Sequence, residues 1–307
     1  YGRKEFNGKI FTPSKKELNF LDLTSVKYWF KKNKPSVVII AAAKVGGILA
    51  NATKPADFIL ENLKIQTNLI ETSWEFGVKR LLFLGSSCIY PRNSVQPIRE
   101  EYLLSNYLEA TNESYAIAKI SGIKLCQALN MQYGFDAISL MPTNLYGPGD
   151  NYHIKNSHVL PALIRKFSEA AQLSLPKVTC WGTGNVLREF LHVDDLASAV
   201  IFVLENWDPN DSNAPRDKDQ KPLYFLNVGT GKDITIKDLA EMIAIMTNYD
   251  GEIYWDKSKP DGTAKKLLDT ERINKLGWYP EISLKLGIGN TIKDFKENKN
   301  LRGINDS

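Results

Sequence analysis

The 307-residue sequence has no apolar run approaching the roughly 18–20 residues that a membrane-spanning helix needs, so no membrane partner is expected. Cysteine is scarce. Cys88, Cys126 and Cys180 are odd in number, widely spaced and form no CxxC, which argues against a disulfide framework or a zinc cage and leaves no metal site to expect. That usage suits a reducing, cytoplasmic setting. Charge of one sign is lacking too: 39 basic and 35 acidic residues are well mixed and net to +4, a balance that suits small anionic ligands and gives no basic footprint for nucleic acid. There is no internal repeat and no low-complexity tract, and the opening Tyr1-Gly2-Arg3-Lys4 is neither a signal peptide nor a targeting helix. No GxxGxxG occurs anywhere. What is present, 6 Trp, 13 Tyr and 13 Phe, excludes disorder across the chain.

Short apolar runs alternate with amphipathic stretches. Residues 37–43 (VVIIAAA) form a continuous apolar run after Pro35, the pattern of a strand buried on both faces. The spacing predicts a helix over 55–76, stopped at Gly77, and a second buried strand over 81–85. A long helix from about Ser114 to Tyr133, closed by Gly134, leads to a third strand over 137–141. Strand and helix alternating at this spacing predict βαβ units and an α/β, doubly wound, Rossmann-like parallel sheet. Further on, 161–171 and 194–204 read as helices and 187–193 and 223–228 as strands. The polar stretch 206–221 reads as an exposed loop, and residues from about Asn298 as a frayed end. The expected division is a dinucleotide-binding unit over 1–158 plus about 186–229. A smaller α/β unit for substrate would be built from the discontinuous pieces of about 159–185 plus 230–307.

Ligands of open α/β sheets bind beyond the carboxyl ends of the strands. The second strand leaves into Gly85-Ser86-Ser87-Cys88-Ile89-Tyr90-Pro91, which predicts two hydroxyls and a thiol at that edge. Tyr115 and Lys119, four residues apart on the following helix, share one helical face. An ammonium beside a phenol lowers its pKa, and a nearby serine can hold a carbonyl, so this set can move a proton at a carbonyl while hydride moves at its carbon.

Ser86, Tyr115 and Lys119 match the catalytic set of the short-chain dehydrogenase/reductases, and the length suggests their extended, sugar-nucleotide branch. The strings AAAKVGGILAN (41–51), LLFLGSSCIYP (81–91), ESYAIAKISGIKLC (113–126), MPTNLYGPGDN (141–151), NSHVLPALIRKF (156–167), REFLHVDD (188–195) and SKPDGTAKKLLD (258–269) resemble the GDP-L-fucose synthase family over nearly the whole chain. The resemblance implies NADPH-dependent 3,5-epimerisation and 4-keto reduction of GDP-4-keto-6-deoxy-D-mannose by a homodimer. Both epimerised carbons flank the ketone, so their protons are acidified by an enolate. Cys88 and His158 stand at the family's acid/base positions, while Ser86 and Tyr115 would hold and protonate the ketone oxygen and Lys119 would bind the nicotinamide ribose.

The resemblance also implies cofactor contacts from Lys15, Asp22, Ala41, Ala42, Ala43, Lys119, Pro142, Asn144, Leu145 and His158. Lys9 to Lys16 resembles the end of the family's second strand, where Lys15 and Lys16 suit the extra phosphate of NADP. Substrate contacts fall to Ser86, Asn144, Lys166, Trp181, Arg188 and Lys266, with Lys166 standing where the family usually has Arg. The related 4,6-dehydratases carry an acid where this chain has Cys88, so dehydration is not expected. His153 and His192 read as structural, Cys126 as core and Cys180 as inert. The family's first strand and Gly-rich turn would lie before residue 1. That leaves two other readings: a truncated copy that binds GDP-sugar without catalysis, and a related nucleotide-sugar 4-reductase or epimerase.

Overall fold

The computed structural model describes residues 8–154, 156–259 and 261–304; the opening Tyr1-Gly2-Arg3-Lys4 lies outside them. In chain order the first elements are α1 (Leu23–Asn33), β1 (Val37–Ile40), α2 (Ile48–Thr53), α3 (Pro55–Glu75), β2 (Arg80–Leu84), α4 (Glu113–Tyr133), β3 (Ala137–Pro142) and β4 (Asn144–Tyr146). There follow α5 (Val159–Gln172), β5 (Lys177–Trp181), β6 (Leu187–His192), α6 (Val193–Asn206), β7 (Phe225–Val228) and β8 (Asp233–Thr235). The last are α7 (Ile236–Thr247), β9 (Glu252–Asp256), β10 (Lys265–Lys266), α8 (Glu271–Leu276) and α9 (Leu284–Glu297). Gly77 (φ +70°) and Gly134 (φ +66°) turn the chain left-handed beyond α3 and α4, as a helix stop requires.

A parallel sheet runs β1-β2-β3-β7, with Leu81 of β2 opposite Val38 and Ala137. Side chains alternate across it. Leu81, Phe83, Ala137 and Met141 face a core shared with α1, α3 and α4. Leu82, Ile138, Leu140 and Leu226 face a second core with α6 and α8. β2, β3 and β7 are covered on both faces, as the doubly wound pattern predicts; β1 is the edge strand among the described residues, and with Val37 46% and Ile39 45% exposed the run expected to be buried on both faces is buried on one. A third core joins α5, α7 and α9 to strands β5, β6 and β9. There β6 pairs with β4 and β10 in parallel and with β8 antiparallel, and β5 pairs with β9.

Two further expectations change. Residues 9–14 form neither helix nor strand, and Lys15 sits exposed in a turn over 15–17, so the strand end expected there is absent among the described residues. The segment after α9 is docked, not frayed. Tyr152 N–H donates to the Arg302 carbonyl at 2.9 Å, and a Cβ on Gly303 would fall 2.2 Å from Asn151 Oδ1. The polar loop 206–221 is a loop as expected, yet Trp207 and Ala214 anchor it in the core.

Candidate active site

Gly85 N–H donates to the Leu140 carbonyl at 2.8 Å, the last rung before the chain leaves β2. Ser86 is extended and caps the single 3₁₀ turn Ser87–Ile89, its Oγ accepting from Cys88 N–H at 3.2 Å. The cap holds the Ser86 hydroxyl at the strand end and leaves the Cys88 thiol half-buried. Ser87, by contrast, is 3% exposed, so only one of the two predicted hydroxyls is available. The far end of the segment is fixed by Tyr90, whose buried hydroxyl donates to Asn227 Oδ1 at 2.5 Å.

Tyr115 and Lys119 face this segment from the first turns of α4. The Tyr115 phenol stands close to the Ser86 hydroxyl, which acts on its pKa as a hydrogen-bonding group. Lys119 is 3% exposed; its Nζ donates to the Leu84 carbonyl at 2.8 Å and lies 4.7 Å from the Phe83 ring centroid and 6.0 Å from that of Tyr115. Burial lowers the ammonium to about 8. The expectation that Lys119 lowers the phenol is not met. Burial pushes the Tyr115 phenol above the ordinary tyrosine value, the Cys88 sulfur pushes the same way, and the Ser86 hydroxyl opposes them. An enclosed phenolate loses its hydration, and an ammonium already bonded to a carbonyl offsets little of that loss.

Arg188 of β6 completes this cluster. It is linked electrostatically to Cys88 and to Asp261, while burial lowers its pKa and its Nη1 donates to the Leu187 carbonyl at 2.8 Å. Parallel pairing sets Lys266 of β10 beside it in register. Asn144 of β4 donates to the Glu189 carbonyl at 2.8 Å. Pro142 ends β3 opposite Val228, and Leu145 lies opposite Leu191.

Trp181, at the end of β5, is 61% exposed and carries two ammoniums, Lys166 at 5.9 Å and Lys259 at 5.6 Å from the ring. Lys166 Nζ is held by the Thr179 carbonyl at 3.0 Å. The loop bearing Lys259 is tied back by Asp261, which accepts from Thr183 N–H at 2.7 Å and its hydroxyl at 2.8 Å. Asp22 caps α1, accepting from Thr24 N–H at 3.0 Å and the Ser25 hydroxyl at 2.5 Å, and the Ser25 bond lowers its pKa.

His158 stands exposed at the N-cap of α5. Among the described residues no hydrogen bond or ion pair joins it to Cys88 or Tyr115. The connection is by packing: Phe58 stands edge-on to Tyr115 at 6.5 Å, a Cβ on Gly46 would meet Phe58 at 3.0 Å, and one on Gly47 would meet the Ser157 carbonyl at 3.3 Å.

Several residues that build the site escaped the sequence reading. Asn62 of α3 brackets Lys44, accepting from its N–H and donating to its carbonyl at 2.9 Å each, and so fixes the turn after Ala41–Ala43. Gln66 reaches the Ala118 carbonyl at 2.5 Å, beside Lys119. Polar residues at 62 and 66, on the core-facing spacing set by Phe58 of α3, were the available signal. Glu189, fully buried, accepts from Gly231 N–H at 2.8 Å and Leu268 N–H at 3.0 Å, while its carbonyl accepts from Thr143 and Asn144.

The donor set fits the ribose end of a nicotinamide dinucleotide. Two protons of the Lys119 ammonium, the Ser86 and Tyr115 hydroxyls, and the small side chains of Ala41–Ala43 at the end of β1 converge on the carboxyl edge of the sheet. The family described as "NAD dependent epimerase/dehydratase family" matches residues 4–215. GDP-L-fucose synthase 1 of Arabidopsis thaliana is 53% identical over 281 residues, covering 91% of this chain and 83% of that protein. GDP-L-fucose synthase of Escherichia coli K12 is 52% identical over 287 residues, covering 92% and 87%. Among solved structures, a GDP-L-fucose synthetase from Naegleria fowleri bound to NADP is 26% identical, with a TM-score of 0.82 over 95% of this chain and 86% of that one. Sequence and fold agree that the chain belongs to the NAD dependent epimerase/dehydratase family and, within it, to the GDP-L-fucose synthases.

Proposed function

We propose that the chain converts GDP-4-keto-6-deoxy-D-mannose to GDP-L-fucose, epimerising C3 and C5 and reducing the C4 ketone. The observation that carries this reading is the buried Lys119 ammonium, held on the Leu84 carbonyl at 2.8 Å and 6.0 Å from the Tyr115 ring, beside the strand end where Ser86 caps the turn that bears Cys88. NADPH, when bound, supplies the hydride for C4. Lys119 and Ala41–Ala43 would hold its ribose end, with Pro142, Asn144, Leu145 and His158 around the nicotinamide, and Asp22 and Lys15 toward the adenosine half.

Ser86 and Tyr115 donate hydrogen bonds to the C4 oxygen, stabilising first the enolate of each epimerisation and then the alkoxide of reduction. A phenol held above its ordinary pKa keeps its proton at neutral pH, which suits it to protonate that alkoxide. Cys88 and His158 take and return the protons at C3 and C5. Trp181 stacks on guanine, Lys166, Arg188 and Lys266 neutralise the pyrophosphate, and Asn144 contacts the sugar.

The third core supports a smaller substrate unit beside the dinucleotide-binding sheet, with bounds that differ from those expected: Tyr146 and Phe190 belong to the third core, while Leu268, Ile273 and Trp278 pack on the sheet. Leu60 of α3 and Ile117 of α4 are exposed apolar residues on helices packed along each other, which supports a homodimer. No helix of the described residues is long and apolar enough to cross a membrane, and all three cysteines are free, which supports a cytoplasmic enzyme. Incubation with the 4-keto sugar nucleotide and NADPH in D₂O tests the reading. Deuterium at C3 and C5 of the product, with matching NADPH consumption, is expected; consumption without deuterium would mean a simple 4-reductase.

A further inference from the structure

The loop between β4 and α5 ends on His158, and its conformation is imposed from outside. Tyr152, fully buried, is the pinned point: its N–H donates to the Arg302 carbonyl at 2.9 Å and its ring lies 4.8 Å from that of Phe295. Its carbonyl accepts from Arg165 Nη1 at 2.8 Å, and the same nitrogen reaches the Gly303 carbonyl at 3.4 Å. Arg165 lies seven residues beyond His158 on α5, two helical turns along the same face. The guanidinium is aligned by Glu169 at 2.8 Å and is 13% exposed. Gly149 N–H is fixed by Asp294 at 2.8 Å. His153, next to Tyr152, is tied to the residues just before His158: Ser157 N–H donates to the His153 carbonyl at 3.1 Å and Asn156 N–H to His153 Nδ1 at 3.2 Å.

We infer that Arg165 and the segment 301–304 form a clasp that positions His158, making Arg165 and Gly303 positioning residues for the epimerisation steps. The inference rests on His158 acting as an acid/base group, as proposed above. Gly303 is the sensitive point, because at φ +78° it accepts no Cβ without displacing Asn151 and His153. Burial raises the pKa of Asp150, on the same loop, and the nearby His158 and Arg302 oppose that shift.

The test uses the full chain with Gly303→Ala, Arg165→Gln and Arg165→Lys. His158 ring resonances are followed by NMR and assigned with His158→Asn. The His158 signals are expected to shift or broaden in Gly303→Ala and Arg165→Gln and to return toward the parent in Arg165→Lys, with circular dichroism unchanged. Deuterium incorporation at C3 and C5 should fall by about tenfold or more. Signals from His158 that do not move in either Gly303→Ala or Arg165→Gln overturn the clasp. A parent chain that incorporates no deuterium overturns the functional reading instead, and the NMR comparison still decides the clasp.

Discussion

Lys119 carries its ammonium into a place where only one carbonyl compensates for lost water. The folded chain releases this proton near pH 8, whereas the unfolded chain holds it to about 10.5. Between those values the unfolded state binds more protons, so the residue's contribution to stability rises with pH, by roughly 3 kcal/mol in all. Thermal melts of the parent and Lys119→Met should therefore diverge in the parent's favour from pH 8 to 10.5; curves that stay parallel would place the ammonium in water. Tyr115→Phe keeps the ring and its contact with Phe58 but removes the proton donor. Its reduction rate should fall by roughly 10²–10⁴-fold in single-turnover NADPH oxidation, with nucleotide-sugar affinity near the parent value. For Cys88→Ser the expected pattern differs: deuterium exchange at the flanking carbons is lost first, since a serine hydroxyl is far less acidic than a thiol.

At the scale of elements, α4 lies so close to β2 that glycine is required at 122. A Cβ there would stand 2.7 Å from Phe83 Cζ, and Phe83 is fully buried beneath Lys119. Alanine in a helix interior ordinarily gains about 1 kcal/mol over glycine, but overpacking a rigid ring costs about 1–3 kcal/mol. Gly122→Ala should therefore lower the denaturation midpoint, and a raised midpoint would show that the ring yields. The strands and helices around this contact were legible because both signals are local: apolar period, and a left-handed glycine where each long helix stops. Ser86, Tyr115 and Lys119 were legible for the same reason, a strand end followed by a helix face. Hidden from such patterns are choices of distant partner. Nothing near Asn298 foretells that Arg302 will pair with residue 152, and no spacing rule announces that burial outweighs Lys119 at the Tyr115 phenol. The α3 polar residues Asn62 and Gln66 were visible as exceptions on an apolar face, but their partners, Lys44 and Ala118, were not.

Across the whole molecule, the exposed Leu60 and Ile117 set an expectation for assembly. Leu60→Glu combined with Ile117→Glu should shift sedimentation toward the monomer, whereas an unchanged profile would move the dimer surface elsewhere on the chain. The largest consequence comes from Glu189. Its carboxylate belongs to β6, yet the amides it satisfies follow β7 at Gly231 and precede α8 at Leu268. Glutamine keeps one acceptor oxygen but turns an NH2 against the other amide, so Glu189→Gln leaves one buried N–H unpaired and should cost about 1–3 kcal/mol in denaturant titrations. One buried carboxylate thus joins three stretches distant in sequence, and a fragment lacking β6 would leave the backbone at Gly231 and Leu268 without its acceptor. Calorimetry should find a single melting transition.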